Sequence, residues 1–129
     1  MWNICKMGEE VMKLIIVVLA CFLLLGCSNE TKATYEKIDS EEALEIMKEN
    51  DKYQILDVRT REEYGEGHLP NAFNLPYDEI NEFTTFDKDT ILFVYCKSGN
   101  RSKIAAEKLL ELGYTVYDLG AYEDINLEE

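Results

Sequence analysis

The 129-residue chain is short of basic residues: 13 Lys+Arg stand against 26 Asp+Glu, which gives a formal net charge of -13. The composition therefore argues against a basic surface that binds the phosphates of a nucleic acid, and we do not expect nucleic acid as a partner. One histidine and four cysteines at scattered positions do not make a metal site, so we expect neither a metal nor another cofactor. The length allows one domain, and 47% apolar residues are enough for one core.

A long apolar run is also missing. The longest apolar stretch, Leu14 to Leu25, is too short to cross a hydrocarbon layer of roughly 30 Å and is typical of a secretory signal peptide. It ends in Gly26-Cys27, which resembles the lipobox of bacterial lipoproteins, where the cysteine is acylated and becomes residue one. We therefore expect a signal peptide over 1–26, a lipidated Cys27 with a polar tether over 27–34, and an extracytoplasmic, membrane-anchored protein. A buried apolar strand or helix that ends in Gly-Cys is the alternative.

The first residues do not suit an export signal, because Glu9 and Glu10 are acidic where such signals are basic. Met12-Lys13 is a more ordinary start. Our hypothesis is that residues 1–11 are upstream sequence read by mistake, and a purine-rich ribosome-binding site before the Met12 codon would support it. The mature chain begins at Cys27 in either case.

The cysteine positions argue against disulfides. Cys5 and Cys21 leave with the signal peptide and Cys27 carries lipid, so Cys96 is the only free thiol of the mature chain. A lone thiol in a compartment that oxidises cysteines calls for a functional explanation.

From residue 35 onward, short apolar runs alternate with amphipathic stretches. This pattern predicts a single α/β domain over 35–129, with a small parallel sheet flanked by helices. Strands are predicted at 35–38, 53–58, 72–75, 91–95 and 115–119, and helices at 39–50, 60–65, 77–83 and 102–112. Capping-box spacing at Asp39/Glu42 and Thr60/Glu63 marks two helix starts, and Gly113 marks a helix end.

The residues after the strongest strand carry the chemistry. Cys96-Lys97-Ser98-Gly99-Asn100-Arg101 joins that strand to a helix, and such a loop directs backbone N–H groups and the positive end of the helix at a bound anion. A thiol in this position, beside Lys97 and Arg101, favours the nucleophilic thiolate. Gly99 allows the loop to bend.

Four stretches together resemble the single-domain rhodaneses, a family of sulfurtransferases. They are Asp57-Val58-Arg59 with Glu62-Glu63-Tyr64, Gly67 to Ala72, Asn74-Leu75-Pro76, and Cys96 to Arg101 followed by Ser102. The resemblance implies a three-layer rhodanese-like fold and a catalytic Cys96. It also implies a substrate cradle made by Lys97, Ser98, Gly99, Asn100 and Arg101, with Asp57, Arg59 and Ser102 in support.

The resemblance further implies that Cys96 takes sulfane sulfur from a small anionic donor such as thiosulfate, or from a persulfide, and passes it to a thiol or cyanide acceptor. Related phosphatases and arsenate reductases have one more loop residue, so a small phosphatase or arsenate reductase is the weaker alternative. A non-catalytic or partner-directed sulfur or redox relay module stays open. Lys97 could be only a solvated charge, Arg101 could tie the loop to an acidic group, Asp57 and Arg59 could form a scaffold ion pair, and His68 belongs to a turn. The expected state is a monomer.

Overall fold

The computed structural model describes residues 2–24 and 32–128, and the chain divides into two compact units, Met1–Glu30 and Thr31–Glu129. The first unit contains one helix, α1 (Trp2–Leu24). No helix within the described ranges is both long and apolar enough to cross a membrane. Cys27 and the neighbouring residues 25–31, to which lipidation and most of the tether were assigned, lie outside the described residues.

The second unit is built on a five-stranded, wholly parallel sheet in the order β1-β5-β4-β2-β3. Its strands are β1 (Tyr35–Lys37), β2 (Tyr53–Asp57), β3 (Ala72–Asn74), β4 (Ile91–Cys96) and β5 (Val116–Ala121). The helices are α2 (Ser40–Glu49), α3 (Arg61–Glu66) and α4 (Asn100–Glu111), with single 3-10 turns at Tyr77–Glu79 and Tyr122–Asp124. The expectation of a parallel α/β sheet flanked by helices is confirmed.

Buried side chains on both faces of the sheet explain why β4 lies at its centre. Leu92, Val94 and Cys96 point into a core shared with α4, whereas Phe93 and Tyr95 point into a second core on the side of α2. A strand buried on both faces is continuously apolar, as β4 is. The result is a three-layer domain in which Cys96 belongs to the α4 side.

Several helix ends lie where the capping residues of the sequence predict them. Asp39 caps α2 by accepting the Glu42 N–H, Thr60 and Glu63 form a complete capping box on α3, and Gly113 follows α4 at φ +91°. The bounds of α4 differ from the prediction, because the helix starts at Asn100, two residues earlier than expected.

The helix predicted over 77–83 is wrong. Only one 3-10 turn, Tyr77–Glu79, forms there. The Asn81 side chain accepts the N–H of Phe83 at 2.8 Å and donates to the carbonyl oxygen of Glu79 at 3.0 Å. These bonds replace helical backbone bonds, which is the ordinary way an asparagine competes with a helix.

Candidate active site

The Cys96 thiol lies at the floor of the loop between β4 and α4. Cys96 is fully buried, and the backbone N–H of Gly99 donates to its Sγ at 2.9 Å. Sγ also lies 3.6 Å from the hydroxyl of Ser102, which donates to the Gly99 carbonyl at 3.1 Å. The sulfur is therefore held by the loop that surrounds it, and Ser102 lies in direct contact with it.

The loop backbone forms the rim of the cradle. Gly99 adopts φ +93°, a left-handed conformation that side chains disfavour. Among the described residues, the N–H groups of Lys97 and Ser98 donate to no protein acceptor. The first turn of α4 adds N–H groups that have no partner within the helix. Such unpaired donors at a helix N-terminus bind anions. The side chains of Lys97, Ser98 and Asn100 are exposed.

Arg101 turns its guanidinium toward α3. Its Nη1 and Nη2 donate to the two carboxylate oxygens of Glu63 at 2.7 and 2.9 Å, and each of the two side chains is 25% exposed. The bond to Arg101 lowers the pKa of Glu63 to about 2 and raises that of Arg101. Glu63 also accepts the Thr60 N–H at 2.9 Å. One carboxylate thus joins the cap of α3 to the end of the Cys96–Arg101 loop.

Asp57 and Arg59 form a buried ion pair at the carboxyl end of β2. The carboxylate of Asp57 is completely buried and accepts from Arg59 at N, Nε and Nη2, with the shortest contact at 2.5 Å. Arg59 donates further to the carbonyl oxygen of Gly67 at 2.6 Å, and its guanidinium lies 4.4 Å from the ring centre of Tyr122. Hydrogen bonding to Asp57 raises the pKa of Arg59. The pair therefore connects β2 with the segments around residues 67 and 122.

Tyr95 belongs to the same network and was missed at the sequence level. Its hydroxyl donates to Asp57 Oδ2 at 2.8 Å and accepts the N–H of Leu69 at 3.0 Å. Burial raises its pKa well above the ordinary value. The available signal was a tyrosine inside a fully buried strand, whose hydroxyl must find a partner.

A cleft of about 280 Å³ opens beside the loop. Its lining residues come from the loop and from three neighbouring segments: Arg59, Glu63, Glu66, Gly67, Lys97, Tyr122 and Glu123. Glu66, Tyr122 and Glu123 were not recognised from the sequence, because no spacing rule connects them to the cysteine. His68 does not line this cleft; its ring stacks on Tyr64 with 3.7 Å between centroids.

Fold and site together define a class: a three-layer α/β domain that holds one cysteine in a loop of backbone donors, between a central strand and a helix N-terminus. The sequence model of the family described as the rhodanese-like domain matches residues 39–127 of this chain. The chain therefore belongs to this family.

Two relatives carry sulfurtransferase names. Thiosulfate sulfurtransferase GlpE of Coxiella burnetii is 37% identical over 92 residues, which cover 69% of this chain and 85% of that protein. The adenylyltransferase and sulfurtransferase uba4 of Ogataea parapolymorpha is 39% identical over 62 residues, which cover 46% of this chain but only 16% of that protein. The crystal structure of a rhodanese-like domain protein from Staphylococcus aureus, 32% identical, has a TM-score of 0.61 and covers 72% of this chain and 93% of that one. The family is thus one of sulfurtransferases.

Proposed function

We propose that this domain moves sulfane sulfur from thiosulfate or a persulfide donor to a thiol or cyanide acceptor, through a persulfide on Cys96. The observation that carries the proposal is the Gly99 N–H donated to Cys96 Sγ at 2.9 Å, in a loop whose other N–H groups are available. This N–H group donates directly to the sulfur, and a second sulfur bonded to Cys96 would meet the remaining donors.

The first half-reaction is a displacement at sulfur. The Cys96 thiolate attacks the outer sulfur of thiosulfate, a new S–S bond forms, the bond within the donor breaks, and its electron pair leaves with sulfite. The enzyme then carries a persulfide anion. In the second half-reaction cyanide or a thiolate attacks the outer sulfur, and the Cys96 thiolate is the leaving group. No net oxidant or reductant is needed with cyanide as the acceptor.

The cradle residues have different parts in this proposal. Ser98, Gly99 and Asn100 act through the loop backbone, and the exposed Lys97 supplies a cation at the rim. Arg101 acts mainly by holding the loop against Glu63, since its guanidinium is already engaged. Four residues between Cys96 and Arg101 leave a loop that suits sulfur better than a tetrahedral phosphate or arsenate. Asp57 and Arg59 act as supporting residues, since their ion pair holds Arg59 in the lining of the cleft beside the loop.

Kinetics with the full chain in neutral detergent test the proposal. We expect thiocyanate release from cyanide and a sulfur donor, with parallel double-reciprocal lines when both substrates are varied. Cys96→Ser should abolish turnover. Cys21→Ser, which makes the same replacement outside the rhodanese-like domain, is the matched control and should keep turnover. If Cys96→Ser keeps its turnover, Cys96 is excluded as the sulfur carrier. If the parent chain shows no turnover with any donor, a partner-directed relay module is favoured instead.

We also propose that residues 1–26 are a signal peptide and that lipid on Cys27 holds a monomeric domain at the outer side of a membrane. The Gly26-Cys27 pair after the apolar run supports this. Labelling of cells with a lipid precursor should mark the protein, and the label should be lost in Cys27→Ala but kept in Cys21→Ala. Persistence of the label in Cys27→Ala would refute the assignment.

A further inference from the structure

Both arginines near the nucleophile have their charge compensated by protein carboxylates. Arg59 is buried against Asp57, and Arg101 makes a bidentate bond with Glu63. A guanidinium held in this way attracts an approaching anion much less, because at distances beyond the separation of the pair the field of the carboxylate largely cancels that of the guanidinium. Neither arginine is therefore an effective receptor for a small dianion.

The remaining charges of the cleft are mainly negative. Glu66 and Glu123 line it and are exposed, and among the described residues no carboxylate pairs with Lys97, which with Arg59 makes up the cations of the lining. Two unpaired carboxylates thus face one unpaired ammonium group. The surrounding domain, which contributes to a net charge of -13 over the chain, adds to this negative potential.

From this balance we infer that the donor is a persulfide on a carrier with no net negative charge, such as an ammonium-bearing thiol or a basic peptide segment, and that thiosulfate is a poor substitute. This inference rests on the proposed function and narrows it. The Cys96 thiolate attacks the outer sulfur of R–S–SH, the S–S bond of the donor breaks, and its electron pair leaves with the carrier thiolate R–S⁻. A carrier ammonium group would then lie near Glu66 and Glu123.

The size of the effect follows from the cleft width. A sphere of 280 Å³ is about 8 Å wide. At about 8 Å in water, one carboxylate slows the approach of a dianion roughly two-fold at 0.1 M salt and roughly six-fold at very low salt. A monoanion is affected less, and a cation is affected in the opposite direction.

The test uses the full chain and three donors: thiosulfate, cysteamine persulfide and 3-mercaptopropionate persulfide. The two persulfides are similar in length and differ in carrier charge. Each second-order rate constant of Cys96 persulfidation is divided by the rate constant of the same donor with 2-mercaptoethanol. The ratio then no longer depends on how reactive each donor is by itself. Glu66→Gln and Glu123→Gln probe the cleft, and Glu111→Gln, an exposed carboxylate at the far end of α4, is the control.

We expect the cysteamine persulfide to be favoured over its carboxylate counterpart at least five-fold at low salt, with the gap closing as salt is added. Each cleft variant should speed thiosulfate two- to six-fold, and Glu111→Gln should not. Equal rates for the two persulfides, or thiosulfate rates that fall with added salt, would overturn the inference but leave sulfur transfer intact. No persulfide on Cys96 from any donor would instead overturn the proposed function, and this inference with it.

Discussion

Replacing Asp57 by Asn tests whether the buried ion pair stabilises the domain. The amide keeps the shape of the carboxylate but removes its charge. Arg59 is 5% exposed, so its guanidinium would be left in the interior without a counter-charge. Only the carbonyl oxygen of Gly67 would still accept from it at full strength.

Removing one partner of a buried pair typically costs about 3–5 kcal/mol. We expect the lower end, about 3 kcal/mol, because the amide oxygen can still accept from the Tyr95 hydroxyl, which lies 2.8 Å from Asp57 Oδ2. Domains of this size unfold with about 5–15 kcal/mol. The variant should therefore lose a large fraction of its stability.

Urea unfolding of the full chain, followed by circular dichroism, measures this loss. Asp89→Asn is the matched control, because Asp89 also contacts a cation, Lys52, at 2.7 Å, but both side chains are mostly exposed. The control should unfold at the same urea concentration as the parent. Exposed pairs contribute little, because water and salt screen them.

The double variant Asp57→Asn/Arg59→Met separates an unpaired charge from general damage. It removes the uncompensated guanidinium, so it should be more stable than the sum of the two single changes predicts, by about 1 kcal/mol or more. Strict additivity, or a cost for Asp57→Asn as small as that for Asp89→Asn, would refute the reasoning.

Three further changes test other parts of the site. Glu63→Gln removes a carboxylate whose pKa is lowered by Arg101 from 4.5 to about 2. The stability that this carboxylate adds is present above pH 4.5 and is lost as pH falls through about 2, so urea unfolding should show parent and variant converging over that window, and a constant difference would contradict it. Gly99→Ala places a Cβ at φ +93° and should cost about 1–2 kcal/mol and slow persulfide formation, whereas unchanged kinetics would argue against a fixed loop. Tyr95→Phe removes the hydroxyl bonded to Asp57 and should cost about 1–3 kcal/mol in the same assay; no loss would mean that the network is not cooperative.

The elements that could be predicted from the sequence are those that depend on interactions between residues close together in the chain. The run Ile91–Cys96 is continuously apolar because both of its faces are buried, so a strand in this segment and the position of Cys96 at its end could be predicted. The capping box of Thr60 and Glu63 depends on a spacing of three residues, and it formed as expected. The prediction of a helix over 77–83 was wrong because the Asn81 side chain bonds to nearby backbone groups. A rule based on hydrophobic periodicity does not take such bonds into account.

The contacts that the sequence could not specify join distant segments. Glu63 and Arg101 are 38 residues apart, and their bond depends on β2 and β4 being neighbours. The sequence pattern predicted a parallel sheet but no strand order. The cleft carboxylate Glu123 depends in the same way on β5 lying next to β4. The interpretation of Arg101 as a loop tie, one of two considered from sequence, therefore needed the tertiary structure.

Intact-protein and peptide mass spectrometry can show whether Cys96 carries the transferred sulfur. The full chain is treated with a persulfide donor, freed of excess reagent and digested. We expect a mass increase of one sulfur atom on the peptide that contains Cys96, removed by cyanide with release of thiocyanate and absent in Cys96→Ser. An unmodified Cys96 peptide after every donor, or sulfur that persists in Cys96→Ser, would contradict it.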